Sequence, residues 1–578
     1  MAVPESPLSS CFHPGPVGMQ IHSRTILLFL LATSYTPVGY SAEKVTPQAT
    51  LPTGLPQVTV IDEQIRAVWT DYEIKPSKAA TDQEFCRRVF LDILGRIPTT
   101  DEARQYAVSK DADKKAKLIH SLLYDKKFQQ DYVRNWSTIW TNILIGRTGG
   151  QERNSVINRR GMQLYLREAF AANKPYDSMV HELLSATGDS APDAENFNGA
   201  VNFLCGKLEE KASQATAQTS RIFLGLQVQC TQCHNHPFNE WKQNQYWQMN
   251  SFFRQTVTLR RFAPGTNDVR YVELTDQDFA GEDSPRNPDA GRVYYELRNG
   301  KLEAAEPIFV DGTSIAPSGY LQDSNRRAEL ANLVARSELL PLAIANRMWA
   351  HFLGYGFTKP IDDMGPHNAP SHPDLLNYLG KSFRENSHDL KQLMTWITLS
   401  EAYSLSSRST RDNEIDDPTL GESPKFSHFY VRQMSAEQLY ESLLIATKAG
   451  AEKESKKRQE TRQKWLNQFS KAFGTDEGGE ITTFDGTIPQ TLMMFNGGLI
   501  KNATNGGKGS FLHSVIESDE KFLRKATQLY WAAFSRVPTK PERKVVEQLH
   551  AAAKWNEKEA LQDLWWALLN SNEFILNH

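Results

Sequence analysis

The chain has 578 residues, enough for several domain cores, and its 65 lysines and arginines nearly balance its 68 aspartates and glutamates. A nearly neutral chain lacks the basic field that binds a nucleic-acid backbone, so we expect no nucleic-acid partner. Its 12 tryptophans indicate a packed globular protein and exclude a disordered chain.

Residues 1–42 have the pattern of a secretory signal peptide whose start is Met19, which makes the segment before Met19 a mis-assigned start. A basic patch precedes the apolar run Ile26–Ala32, and small residues suited to cleavage follow it. The run is too short to cross a bilayer, which needs roughly 20 apolar residues. We therefore predict export to the periplasm or cell surface, with no transmembrane span in the mature chain. An uncleaved membrane anchor is the alternative.

The hydrophobic pattern predicts a mainly α, multi-helical fold with a small β-rich insert around residues 255–320. Within the insert, β-branched and aromatic residues such as those at Val293–Leu297 indicate strands, and Asn299–Gly300 indicates a hairpin turn. A charged helix is predicted at Lys453–Gln468, and a glycine-rich loop at Thr487–Gly507. The other predicted segments are a linker at 43–60, an N-terminal helical domain at 61–254 and a C-terminal helical domain at 321–578.

One helical unit is predicted at both ends of the chain. Pro98 breaks a helical run, and Thr99 with Glu102 forms a capping-box pattern that starts the next helix. Thr539 with Glu542 repeats this arrangement near the other end. We interpret the repeat as architectural, because its apolar residues have the spacing of a core.

The strongest chemical signal is the pentad Cys-Thr-Gln-Cys-His at residues 230–234. In a c-type site both thiols add to porphyrin vinyl groups, and the next histidine ligates the iron. We therefore predict haem c held by Cys230 and Cys233, with His234 on the iron, and an electron-transfer or redox role. Helical spacing from Ile222 to Cys233 predicts a helix through the motif that Pro237 stops.

Other interpretations of the motif remain open. With His236, the pentad could supply soft ligands for zinc or copper. The two cysteines could instead form a disulfide or redox pair, or the segment could be a structural turn without a cofactor. The protein would then be a non-catalytic cell-envelope or surface-interaction protein. A third class, an exported hydrolase of polysaccharide, needs two carboxylates that face one cleft.

The sixth iron ligand is not fixed by the sequence. Met249 is the first candidate, and Met364 and His367 are others, although a methionine more often fills a gap in a core. The acidic pair Asp362–Asp363, followed by His367 and His372, resembles a site for a hard metal. We prefer the interpretation in which the acidic pair caps a helix or bridges nearby arginines.

Several long motifs resemble a bacterial protein family, and they occur in the expected order. Phe90–Thr99 resembles the opening of domain of unknown function 1549, and Phe223–Phe238 resembles its close. The motifs that resemble the companion domain of unknown function 1553 are Asn346–Trp349, Gly354–Phe357, Asn368–Pro373 and Leu569–Phe574.

This resemblance implies an exported helical protein of a cytochrome-like family found mainly in planctomycetes and related bacteria, with no settled activity. Members often carry a separate cytochrome c domain in front, which is not seen here, so we do not expect a multi-haem relay. The resemblance also implies a partner, either an exported redox protein or a sulfatase-like protein.

Overall fold

A computed structural model of the chain describes residues 54–280, 291–449, 455–473, 493–494 and 497–578. The predicted signal peptide at residues 1–42 lies outside these ranges. Within them, no helix combines the length and the apolar character that crossing a bilayer requires.

The predicted mainly α fold is confirmed. The N-terminal helices are α1 Pro56–Asp71, α2 Asp82–Leu94, α3 Thr100–Val108, α4 Lys114–Tyr124, α5 Lys126–Ile145, α6 Arg159–Ala171, α7 Tyr176–Ser185, α8 Asn202–Cys205, α9 Glu209–Leu224 and α10 Gln243–Ser251. The next group is α11 Arg326–Arg336, α12 Leu339–Leu353, α13 Pro373–Glu385, α14 Leu390–Leu399 and α15 Glu401–Ser404. The last group is α16 Ala436–Thr447, α17 Ser455–Phe473, α18 Gly498–Thr504, α19 Phe511–Ile516, α20 Phe522–Phe534, α21 Lys540–Ala552, α22 Glu557–Leu569 and α23 Asn572–Ile575.

The predicted β insert is also present. Its strands, with the short strands outside it, are β1 Gly188–Asp189, β2 Thr256–Phe262, β3 Val269–Asp276, β4 Val293–Glu296, β5 Leu302–Ala305, β6 Arg432–Gln433 and β7 Leu576–Asn577. β3 lies between β1 and β2, and all its pairings are antiparallel. β4 and β5 form a hairpin whose turn contains Asn299–Gly300, as the sequence predicted.

Two local predictions need correction. The predicted loop at Thr487–Gly507 is wrong over Gly498–Thr504, which forms α18 because its apolar side chains are buried in a hydrophobic core. The linker predicted to reach residue 60 ends sooner, because α1 begins at Pro56 and proline suits the first turn of a helix. The predicted charged helix is confirmed as α17.

Helix α2 is the element on which the two hydrophobic cores of the described chain meet. Every residue from Phe85 to Leu94 is buried. Phe85 and Phe90 pack in the larger core, which holds most of the helices up to α15. Leu91 packs in the smaller core, which α16 to α23 build. A helix that is buried on all sides must satisfy any charge it carries from within the protein.

Asp92 of α2 is fully buried and accepts hydrogen bonds from three distant segments. One carboxylate oxygen is ion-paired with Arg432 and accepts a hydrogen bond from Asn577 at 2.7 Å. The other oxygen accepts a hydrogen bond from the Tyr403 hydroxyl at 2.7 Å. The backbone carbonyl of Asp92 lies 3.1 Å from Nε2 of His351. One carboxylate thus joins the end of the chain to both cores.

Two neighbouring arginines extend this network. Arg87 donates to the carbonyl oxygens of Ala533 and Phe574, both at 2.8 Å, and Arg88 donates to that of Leu405 at 2.8 Å. Carbonyl oxygens at these helix ends can only accept hydrogen bonds, and a guanidinium group can only donate them, so buried arginine side chains are suitable partners. α2 therefore fixes the ends of α15, α20 and α23.

The predicted repeat has the same geometry at both ends of the chain. The capping boxes of Thr99 with Glu102 and of Thr539 with Glu542 are both formed. In the first unit Arg96 binds Glu102 at 3.0 Å and donates to the next carbonyl, that of Ile97, at 3.0 Å. Arg536 does the same with Glu542 at 2.7 Å and the carbonyl of Val537 at 3.1 Å. In each unit an arginine two residues after the end of the helix therefore sets the turn.

We expect Asp92→Asn to destabilise the protein by about 3–5 kcal/mol, because it leaves the buried Arg432 guanidinium without its counter-charge. Urea unfolding followed by tryptophan fluorescence measures the loss. Asp268→Asn is the matched control, since Asp268 pairs with Arg153 at the surface and its loss should change stability by less than about 0.5 kcal/mol. Equal shifts for the two variants would contradict a central role for Asp92.

Candidate functional site

The cysteine motif follows α9, but it is not helical throughout. Gly225 caps α9 in the left-handed conformation, with φ of 67°. The prediction of one helix from Ile222 to Cys233 is therefore wrong, because only glycine adopts this backbone freely and it ends the helix before the motif. Residues 229–232 form a separate 3₁₀ turn, and an irregular loop follows.

Gly225 also packs closely against the loop after α12. Its carbonyl accepts a hydrogen bond from the backbone N–H of Met364 at 2.6 Å. A Cβ atom at residue 225 would lie 3.0 Å from Sδ of Met364. The positive φ favours glycine at residue 225, and any larger residue would also have to displace the Met364 side chain.

Asp362 fixes the same contact electrostatically. Its buried carboxylate forms an ion pair with Arg221 at 3.3 Å and accepts a hydrogen bond from Gln227 at 2.9 Å. These partners flank Gly225 in the sequence, so the loop after α12 fixes the segment that leads from α9 into the motif. The prediction that the acidic pair bridges an arginine is confirmed for Asp362. Asp363 instead lies 3.0 Å from Nε2 of His367.

The two cysteines of the motif present their side chains to solvent. Cys230 and Cys233 are exposed and are not joined in a disulfide. Between them, Thr231 is fully buried, and its hydroxyl donates to the carbonyl of Val228 at 2.6 Å. The inward threonine anchors the turn and leaves both thiols on the outer side.

His234 is oriented by the backbone of the next residue. Its Nδ1 lies 2.6 Å from the carbonyl oxygen of Asn235. Because a carbonyl oxygen can only accept, Nδ1 of His234 carries the proton. Nε2 of the neutral ring then has a free lone pair. Metal-bound histidines are held in this way, with the second ring N–H donated to a carbonyl or carboxylate.

His236 has the opposite arrangement. Its Nδ1 accepts hydrogen bonds from the backbone N–H groups of Phe238 and Asn239, at 3.2 and 3.1 Å. The neutral ring therefore carries its proton on Nε2, so neither nitrogen offers a lone pair. The ring centre of His236 lies 6.1 Å from that of His367, which puts the loop after α12 beside the motif.

The remaining metal candidates are dispersed. In the parts of the chain that the structure describes, no three His, Cys, Asp or Glu side chains gather as a metal-binding group. Met249 is 2% exposed and packs in the larger core, and Met364 is also buried. His372 is buried beside Phe426, and burial lowers its pKa to about 4. The side chains of Cys230, Cys233, His234 and His236 are therefore neighbours in sequence that the structure does not gather into a metal-binding group, and Met249 packs in the core.

An exposed aromatic side chain lies beside the motif. Phe238 is 84% exposed, and its ring centre is 6.3 Å from that of His236. From the sequence, His367 is a candidate iron ligand of the motif, but nothing there singles out the exposed Phe238. The contact of His367 with His236 joins residues far apart in the chain and is seen only in the tertiary structure.

Two family profiles match the chain. The family described as PSCyt2, protein of unknown function (DUF1549), matches residues 60–258, which include the cysteine motif. The family described as PSD1, protein of unknown function (DUF1553), matches residues 326–550. Together the matches cover well over half of the chain. No curated protein matches it, and no solved structure does.

We expect Cys230 and Cys233 to react with iodoacetamide in the folded protein purified without a cofactor, because both are exposed. Cys86 and Cys205 should stay unmodified, since they are buried and burial raises the pKa of Cys205 to about 12. Peptide mass spectrometry assigns the modified residues, and unfolding in urea should expose all four. Protection of the motif cysteines under these conditions, or labelling of Cys205 at their rate, would contradict the described surface.

Proposed function

This chain belongs to the family in which domain of unknown function 1549 precedes domain of unknown function 1553, and we propose that it is an exported c-type haem protein with a role in electron transfer or another redox step. The observation that carries the proposal is the state of His234. Its Nδ1–H is donated to a carbonyl, and its Nε2 lone pair is free, directly after two exposed and unpaired thiols. This is the donor set of a c-type haem site.

Each residue has a defined role in the proposal. The thiols of Cys230 and Cys233 would each add across one vinyl group, forming a C–S bond while the thiol proton goes to the neighbouring carbon. This addition transfers no electrons and needs no oxidant. Nε2 of His234 would bind the iron, which would supply a one-electron redox couple. Met249 lies in the core and is not among the residues that would hold the haem.

The surroundings of the motif fit a surface haem. The exposed ring of Phe238 supplies apolar area beside His236 that a flat apolar group can cover. A cofactor attached at the surface is accessible to a second protein, which agrees with an exported redox partner. The buried contacts of Asp362 and Gly225 fix the start of the loop that carries the cysteine motif.

Export is part of the same proposal. Covalent haem attachment takes place outside the cytoplasm, and residues 1–42 have the sequence pattern of a signal peptide. We propose that the mature chain begins after residue 42 and resides in the periplasm or at the cell surface. N-terminal sequencing of the exported protein tests the cleavage position.

The haem is tested by expression in a bacterium with a cytochrome c maturation system. We expect a Soret band and a pyridine haemochrome spectrum of the thioether type, with about one haem per chain. The variant Cys230→Ser/Cys233→Ser should lose all covalent haem, because both attachment points are gone. His234→Ala should change the spectrum by removing an axial ligand.

His236→Asn is the matched control, since His236 is a neighbouring histidine whose Nδ1 accepts hydrogen bonds from two backbone N–H groups. It should retain covalent haem and the wild-type Soret band. A colourless exported protein with one bound zinc ion, or with a disulfide between Cys230 and Cys233, would refute the haem proposal. Either result would favour a non-catalytic envelope protein with a structural motif.

A further inference from the structure

A large open cleft lies outside the cysteine motif. Its volume is about 1110 Å³, and it is bordered by α5, the loop after α5, α6, β3 and α16. Six arginines line it, and they outnumber its three glutamates, Glu152, Glu437 and Glu441. The arginines are Arg134, Arg147, Arg159, Arg160, Arg167 and Arg270. Two further carboxylates pair with these arginines, Asp131 with Arg134 at 2.7 Å and Asp193 with Arg270 at 3.2 Å, so the cleft has only a small excess of positive charge, in a chain whose formal charge is −3.

Helix α6 places two of these arginines in the cleft without carboxylate partners. Arg160 and Arg167 are seven residues apart, so they lie on one face of the helix two turns from each other. Both are exposed. Within the described ranges, no Asp or Glu pairs with either guanidinium. Their charges are thus available to an anionic ligand.

Helix α16 positions two further arginines. Glu437 forms an ion pair with Arg147 at 2.6 Å, and Glu441 forms one with Arg134 at 3.6 Å. The two glutamates are four residues apart, on one face of α16. Burial raises the pKa of Glu441. These glutamates direct the guanidinium groups of Arg147 and Arg134, so the unpaired positive charge of the cleft is carried by Arg160 and Arg167.

The rim of the cleft has a fixed shape. Arg159 donates to the carbonyl oxygens of Gly146 and Gly149, at 2.7 and 3.3 Å. Gly150 has φ of 79°, and a Cβ atom there would lie 2.7 Å from the backbone nitrogen of Arg159. The loop after α5 is thus closed onto the start of α6, and the cleft is built before a ligand arrives.

The lining indicates which ligand fits. Besides the arginines it consists mainly of amide and hydroxyl groups, including Asn135, Gln151, Asn154 and Gln163, which suit the hydroxyl groups of sugars. Guanidinium groups bind carboxylate and sulfate oxygens in a bidentate manner. Among the described residues that line the cleft, Tyr271 is the one aromatic side chain, whereas single-stranded nucleic acid needs several stacking rings. The volume exceeds the roughly 300–1,000 Å³ of sites for drug-sized molecules, so the ligand is extended.

We propose that this cleft binds a segment of an anionic polysaccharide, with carboxylate or sulfate groups on the arginines and sugar hydroxyls on the amides. The proposal does not depend on haem, because none of the motif residues lines the cleft. It assigns to the exported protein a second site, one that recognises an extracellular polymer.

The test uses the full chain and fluorescently labelled oligosaccharides of equal length, one sulfated, one carboxylated and one neutral, in anisotropy titrations at low and high salt. We expect at least one anionic oligosaccharide to bind, the neutral one not to bind, and affinity to fall as salt rises. Arg160→Gln/Arg167→Gln should weaken binding by tenfold or more. Both residues are exposed, so the thermal transition should be unchanged.

Arg298→Gln/Arg411→Gln is the matched control. Both arginines are exposed and lie outside the cleft lining, and the double variant removes the same amount of positive charge. It should change affinity by less than twofold. Equal weakening by the two double variants, or no binding of either anionic oligosaccharide, would overturn the proposal. Binding of polyphosphate or single-stranded DNA as tight as that of the oligosaccharides would overturn it too, since it would show unspecific attraction of polyanions.

Discussion

The architecture depends on one buried carboxylate, Asp92, at the place where the two cores meet. Removing a charge from water is costly unless partners surround it, and here Arg432, Tyr403 and Asn577 supply them from three distant segments. Because α2 is buried on every side, its charged residues bind and fix the ends of the helices around it. This arrangement couples the region of the first family profile to that of the second, so the two behave as one folded body in the described chain.

The same coupling positions the cysteine motif. Asp362 and Met364, in the region of the second profile, hold Gln227 and Gly225, which precede the motif in the first. The position of the motif thus depends on both profile regions, which gives a physical reason for finding them in one chain. The motif itself stays at the surface, where a cofactor and a partner can reach its thiols. The basic cleft is a separate feature of the chain, and under the two proposals it would bring the proposed haem to a polymer.

Patterns that depend on neighbouring residues were predictable from the sequence. The capping boxes at Thr99 and Thr539, the turn at Asn299–Gly300 and the strands of the insert all rest on local backbone preferences, and the structure has them. The helix predicted through the motif is absent, because Gly225 ends α9 although the apolar spacing continues beyond it. The tautomers of His234 and His236 depend on loop geometry, and the cleft joins residues of α5, α6 and α16, so no linear pattern could reveal them.

The central claim is that His234 and its two cysteines hold a covalent haem. The intact mass of the exported protein tests this most directly, because addition of two thiols across two double bonds loses no atoms. The account predicts the mass of the chain cleaved after residue 42 plus that of one complete haem. The mass of the bare polypeptide, from a host that loads a known c-type cytochrome in the same culture, would contradict it.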